Sequence, residues 1–258
     1  MKLIKPSYEI ITPINGEEIL KQIELAARTC YKSEGKIEYK TTYGTYINID
    51  TNEEYEQKHL VNATSARILI PKLILRGHEA MLEFSGMIIV KFICDRGISH
   101  ELVRHRLSSF AQESTRYCNY GKDEHISFII PCWTDFEEGI YDYKARTFIN
   151  DGMIHFHKGN EIQATTDHLT WLDVVAIAEL TYNKLIKKGW NPQQARSVLP
   201  NSLKTEINVG ANIREWRHIF KLRTAKAAHP QMRELMCPLL DEFKLKIPIL
   251  FDDINYEL

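Results

Sequence analysis

Residues 104–117 read Arg-His-Arg-Leu-Ser-Ser-Phe-Ala-Gln-Glu-Ser-Thr-Arg-Tyr. Three arginines, a histidine, three serines and a threonine fall within these fourteen residues; Glu113 offsets one arginine, leaving about +2 with the histidine neutral. Arginine offers a planar fork of donors that matches phosphate oxygens bidentately, and hydroxyls add neutral donors around the same oxygens. The whole chain has no basic excess, since 33 Lys+Arg stand against 34 Asp+Glu. A protein that coats a polyanion carries such an excess. The cluster therefore predicts a local site for a nucleotide-sized anion and no nucleic-acid partner. Composition alone leaves a solvated basic turn open as the blander reading.

Working outward, Met87 to Cys94 is rich in β-branched and aromatic residues and reads as a strand. Gly97 to Arg104 then reads as a short helix that delivers the motif at or just past its C-terminal end. Ile126 to Ile130, closed by Pro131, reads as another strand. Residues 17–30 place Ile19, Leu20, Ile23, Ala26, Ala27 and Cys30 on one helix face. Residues 34–63 are polar and tyrosine-rich, with Gly44 between two alternating stretches, and read as a hairpin or partly ordered insertion. Residues 65–76 form a helical pattern with Pro71 as kink or boundary and Gly77 as stop.

The second half is more helical. Leu169 to Lys188 is a long amphipathic stretch ended by Gly189, and Asn191-Pro192 starts a helix running to Leu199. Lys204 to Val209 alternates like a strand. Asn212 and Glu215 make a capping-box-like start for a helix through Arg223, and a last helix spans Pro230 to Lys246 with Pro238 as a candidate break. No repeat or linker interrupts the chain, which reads as one α+β domain over 1–258. No apolar run approaches the ~20 residues of a membrane span. The N-terminal residues lack a signal-peptide pattern, and five widely spaced cysteines without a Cys-x-x-Cys pair argue against a disulfide framework or zinc ribbon. These features point to a reducing cytoplasm and no membrane partner.

The order of the residues goes further than their composition. Arg104-His105-Arg106, seven intervening residues and Ser114 resemble the signature of flavin-dependent thymidylate synthases. Gln112-Glu113-Ser114-Thr115-Arg116-Tyr117 and Ser99-His100-Glu101-Leu102-Val103 extend the resemblance. So do Ala26 to Cys30, Gly77-His78-Glu79 with Glu83, Arg196 to Pro200, Asn212-Ile213-Arg214 with His218, Leu222-Arg223-Thr224, and Ala228 to Gln231. Residues 34–63 and 133–168 fall outside it and read as insertions.

The resemblance implies a mainly antiparallel sheet flanked by helices. It implies conversion of dUMP to dTMP, with the one-carbon group from 5,10-methylenetetrahydrofolate, reducing equivalents from NADPH through FAD, and no enzyme nucleophile. It also implies a homotetramer with sites shared between subunits. By the same resemblance Glu101, Leu102, Val103, Arg104, Gln112, Glu113, Ser114, Thr115, Arg116, Arg196 and Arg223 line dUMP. Ser114 and Arg116 would contact its phosphate, and Arg223 would polarise the pyrimidine as the catalytic residue. Ala80, Arg104, His105, Arg106, Gln112, Asn212, Ile213, Arg214 and His218 would hold FAD. Two positions depart from the family: Glu101 stands where glutamine is usual, and Ala80 replaces a hydroxyl residue. The absence of Gly-x-Gly-x-x-Gly agrees with a flavin site not built on a Rossmann unit.

Three other readings weigh less. Pro131-Cys132 is similar to the nucleophile of the unrelated classical thymidylate synthases, but Cys132 reads as a buried structural cysteine at a strand end. His100 and His105 stand five apart, roughly 140° out of register on a helix of 100° per residue, which defeats a shared zinc. His155 and His157 could share a strand face but have no third ligand, so no metal is expected. Trp216 and Phe220 read as core contacts.

Overall fold

The computed structural model describes residues 1–47, 54–141, 147–148, 154–156, 160–162, 166–247 and 249–257. Contacts divide the chain into two compact units. The first comprises Met1–Glu9, Val90–Val209 and His229–Leu235; the second comprises Ile10–Ile89, Gly210–Ala228 and Met236–Leu258. A four-stranded sheet has the order β2 (Ser7–Ile10), β5 (Ile88–Asp95), β12 (Lys204–Ala211), β6 (Ser109–Gln112). Along β5 the side chains of Ile88, Val90, Phe92 and Cys94 are buried on one face, a period-2 burial that the nearly continuous apolar run of the sequence does not show.

In the first unit, β1 (Lys2–Ile4) runs parallel to β7 (Ser127–Ile129) and antiparallel to β8 (Gly139–Ile140), with Leu3 opposite Phe128. The core beneath gathers Leu3, Ile126, Phe128, Phe136, Leu172, Val175 and Tyr182. The last three belong to α4 (Thr166–Lys187), which Gly189 terminates at φ 93°. The helix expected over 192–199 is two pieces, α5 (Pro192–Ala195) in a capping box with Asn191, then a 3-10 turn over Arg196–Val198. Three short antiparallel strands, β9 (Thr147–Phe148), β10 (Ile154–Phe156) and β11 (Asn160–Ile162), form a separate sheet. His155 falls in β10, and His157 lies outside the described residues.

In the second unit, α1 (Gly16–Cys30) is capped by Asn15 and buries Ile19, Leu20, Ile23 and Ala27. The hairpin of β3 (Tyr39–Ile47) and β4 (Glu54–Ala63) is antiparallel, with Gly44 opposite Gln57. Gly44 therefore lies inside β3, which runs on to either side of it. Residues 48–53 lie outside the described set. Helix α2 (Thr64–Leu75) runs through Pro71, and α7 (Pro230–Lys246), whose first residues belong to the first unit, runs through Pro238. Both prolines are exposed, while Leu239, Leu240 and Phe243 after Pro238 are buried. The buried face holds the helix through a lost hydrogen bond that would end an isolated one. Trp216 and Phe220 of α6 (Ile213–Arg223) pack with Phe243 and Phe251 at ring distances of 5.1–5.6 Å, core residues as read. No helix among the described residues is long and apolar enough to cross a membrane.

Candidate active site

The first unit carries the arginine motif. Helix α3 (Arg96–Leu102) starts on Asp95, whose carboxylate accepts the Ile98 N–H at 2.7 Å. Burial pushes the Asp95 carboxyl above its usual value. The helix ends before the motif: the N–H groups of Arg104, His105 and Ser108 bond to the carbonyls of Glu101, Leu102 and His105. These turns expose Val103, Arg104 and Arg106, half-bury Glu101, and bury Leu102 and His105. The second half of the motif enters the sheet as β6, which the sequence reading did not foresee. Its terminal Gln112 donates its amide to Ser99 Oγ (2.8 Å) and Thr205 Oγ1 (3.2 Å). Ser99 already donates to the Arg96 carbonyl, so the Gln112 carbonyl oxygen is the acceptor that this side chain can offer a ligand.

A tight turn follows. Ser114 accepts the Tyr117 and Cys118 N–H groups on its carbonyl and the Arg116 N–H on Oγ. Arg196, from the 3-10 turn after α5, donates to Thr115 Oγ1 at 3.0 Å. The structure thus brings Ser114, Thr115, Arg116 and Arg196 together, with both arginines exposed. Two hydroxyls and two guanidiniums on one surface suit an oxyanion. Glu113 is committed elsewhere: its carboxylate accepts from Tyr120 Oη (2.8 Å), Lys204 Nζ (3.2 Å) and the Glu206 N–H (3.2 Å). The supporting residues Ser99, Tyr120, Lys204 and Thr205 were not foreseen. Thr205 had a readable signal, for it shares strand parity with buried Ile207 and Val209 and is fully buried itself.

The second unit carries the other arginines. Asn212 caps α6 by accepting the Glu215 N–H at 3.0 Å, which leaves its amide N–H groups to donate. The Ile213 side chain is buried, and its N–H bonds to Ser85 Oγ at 2.9 Å. Arg214 and His218 are exposed, one turn apart on α6. Arg214 pairs with Glu83 of the 3-10 segment Glu79–Ser85, where Ala80 is exposed. An exposed pair of this kind contributes little, so a bound anion can compete for the guanidinium. Burial pushes Glu215 up, opposed by His218 and Arg214. Arg223 is half-buried at the end of the helix.

Cys132 is exposed, contrary to the reading of a buried cysteine, because the chain turns outward after Pro131. Local burial and Glu234 push its thiol above the usual value, so it is not an activated thiolate.

A family model described as "Thymidylate synthase complementing protein" matches residues 14–249. The chain belongs to this family. The match runs through both compact units. Among curated members, the flavin-dependent thymidylate synthase of Corynebacterium efficiens is 27% identical over 246 residues, 95% of this chain and 83% of that protein. The flavin-dependent thymidylate synthase of Pyrococcus horikoshii is 30% identical over 183 residues, 70% of this chain and 64% of that one. The fold also matches a crystal structure of a UMP/dUMP methylase from Streptomyces cacaoi bound with 5-Br dUMP. That likeness has a TM-score of 0.65 and 20% identity, covering 98% of this chain and 96% of the other. The expected α+β fold of the family is thereby found.

Proposed function

We propose that this chain is a flavin-dependent thymidylate synthase that methylates dUMP to dTMP. It takes the carbon from 5,10-methylenetetrahydrofolate, uses NADPH-reduced FAD as hydride source, and releases tetrahydrofolate. The observation that carries the reading is the Ser114–Arg116 turn with Arg196 bonded into it, a preformed set of donors for a nucleotide phosphate. Arg104 and the Gln112 carbonyl line the nucleotide beside it, with Glu101, Leu102 and Val103 at the helix end that leads into the motif. Arg223 polarises the pyrimidine ring, since a fixed cation near its carbonyl oxygens stabilises negative charge that the ring places on those oxygens.

By the family resemblance, the exposed Arg106 of the first unit, and the exposed Arg214 and His218 with the Asn212 amide of the second, would hold FAD, the guanidiniums being suited to its diphosphate. His105, Ile213 and Ala80 would belong to the same set by that resemblance. Bound FAD would supply the hydride chemistry, and the protein would orient and polarise the reactants. We read the chain as one functional domain over 1–258 with insertions at 34–63 and 133–168, working as a homotetramer in the cytoplasm.

The purified protein should be yellow and should form dTMP only with NADPH and the folate donor present. A colourless preparation that FAD cannot reconstitute would overturn the reading. Arg223→Ala should retain the flavin spectrum and lose at least about 100-fold in turnover, the scale of removing one transition-state donor. Unchanged turnover would refute its role.

A further inference from the structure

Residue 113 is locked at backbone and side chain together. Its N–H bonds to the Glu206 carbonyl at 2.9 Å, and its carbonyl accepts from the Arg96 guanidinium at 2.9 Å. Its carboxylate, only 17% exposed, collects the three donors from Tyr120, Lys204 and Glu206. Lys204 is held in turn by Glu206 at 2.6 Å, and Glu206 by Lys91 at 2.5 Å. Burial alone would lower the Lys204 ammonium, but Glu206 and Glu113 carry it up, so it stays charged as a partner. The chain beginning at Ser114 then makes the turn that presents the phosphate donors. A carboxylate with three donors in place has little acceptor capacity left for a ligand.

We infer that Glu113 is a positioning residue that sets the 114–116 turn through Lys204, Tyr120 and β12, and does not itself touch the nucleotide. The inference rests on the dUMP reading of this turn. If it holds, Glu113 acts only on the part of the ligand that the turn grips.

The test compares binding of dUMP and of deoxyuridine, which lacks the phosphate, to the flavin-loaded protein. Glu113→Gln keeps the shape and removes the charge. It should weaken dUMP about 10-fold and deoxyuridine less than about 2-fold, raising the KM for dUMP with kcat little changed. Equal weakening of both ligands, or of neither, would overturn the inference. Tyr120→Phe deletes one donor and should show the same selectivity at about 3-fold; it carries the test if Glu113→Gln does not fold. Glu113→Gln with Lys204→Met should lose no more than Glu113→Gln alone, while additive losses count against a coupled pair. Wild-type protein that binds neither ligand would overturn the dUMP reading itself, and this inference with it.

Discussion

At the scale of single residues, charge placed in the interior does structural work that periodicity does not reveal. Glu24 lies on the buried face of α1 and is fully buried, where it accepts two bonds from Arg28 (2.9 and 2.8 Å) and one from Ser65 (2.9 Å). Removing one partner of a buried pair strands the other, so Glu24→Ala should cost about 3 kcal/mol in a denaturant titration. A loss below about 1 kcal/mol would mean that Arg28 finds water instead. Arg217 is buried in α6 and pairs with Asp253 at 2.6 and 2.7 Å. Those bonds hold the Asp253 carboxyl below its usual 3.8, against partial burial. A depressed folded value adds stability that is present above the unfolded value and is lost as pH falls through the folded one. Melting temperature should therefore drop below about pH 4, and Asp253→Asn should flatten part of that drop. An unchanged acid slope in Asp253→Asn would reject the assignment. The arginine motif was legible in the sequence, but the commitment of Glu113 was not, because Tyr120 and Lys204 are remote in sequence.

At the scale of elements, capping residues and periodic faces located most helices and the central strands. Asn191 and Asn212 accept the N-terminal N–H groups as read, Asn15 and Asp95 cap their helices the same way without having been read as caps, and Gly77 and Gly189 stop their helices at positive φ. The departures have separate causes: the buried residues after Pro238 outweigh the proline signal, and short strands leave little pattern to read. Pro238 sits in a continuous helix, and Gly44 sits in a strand. Strand β6 was missed because its four residues carry no strong alternation. The first residue of α1 shows how tightly two elements approach: a Cβ on Gly16 would lie 2.5 Å from the Lys246 carbonyl oxygen. Gly16→Ala should therefore destabilise by about 1–3 kcal/mol, despite alanine's better helix propensity. A raised melting temperature would show that the end of α7 yields.

At the scale of the whole molecule, a net charge of −1 sets what the basic turn can bind. A two-arginine surface on a neutral chain has no extended electrostatic footprint. Retention on a long single-stranded RNA should be negligible at 0.15 M salt, whereas dUMP binding should persist; tight RNA binding with a steep salt slope would reverse the assignment. The family match crosses both compact units, with β5 and β12 each running from one into the other. The sequence by itself determined the family, the helix starts and the donor types of the site, because these reside in residue order, capping chemistry and local periodicity. Only the tertiary structure decided which donors are free to meet a ligand. Arg196 joins Thr115 across 81 positions, and Glu113 is drawn to Lys204 across 91, and such distant pairings follow from packing. The turn at 114–116 is an anion site in composition and a positioned one only through the sheet behind it.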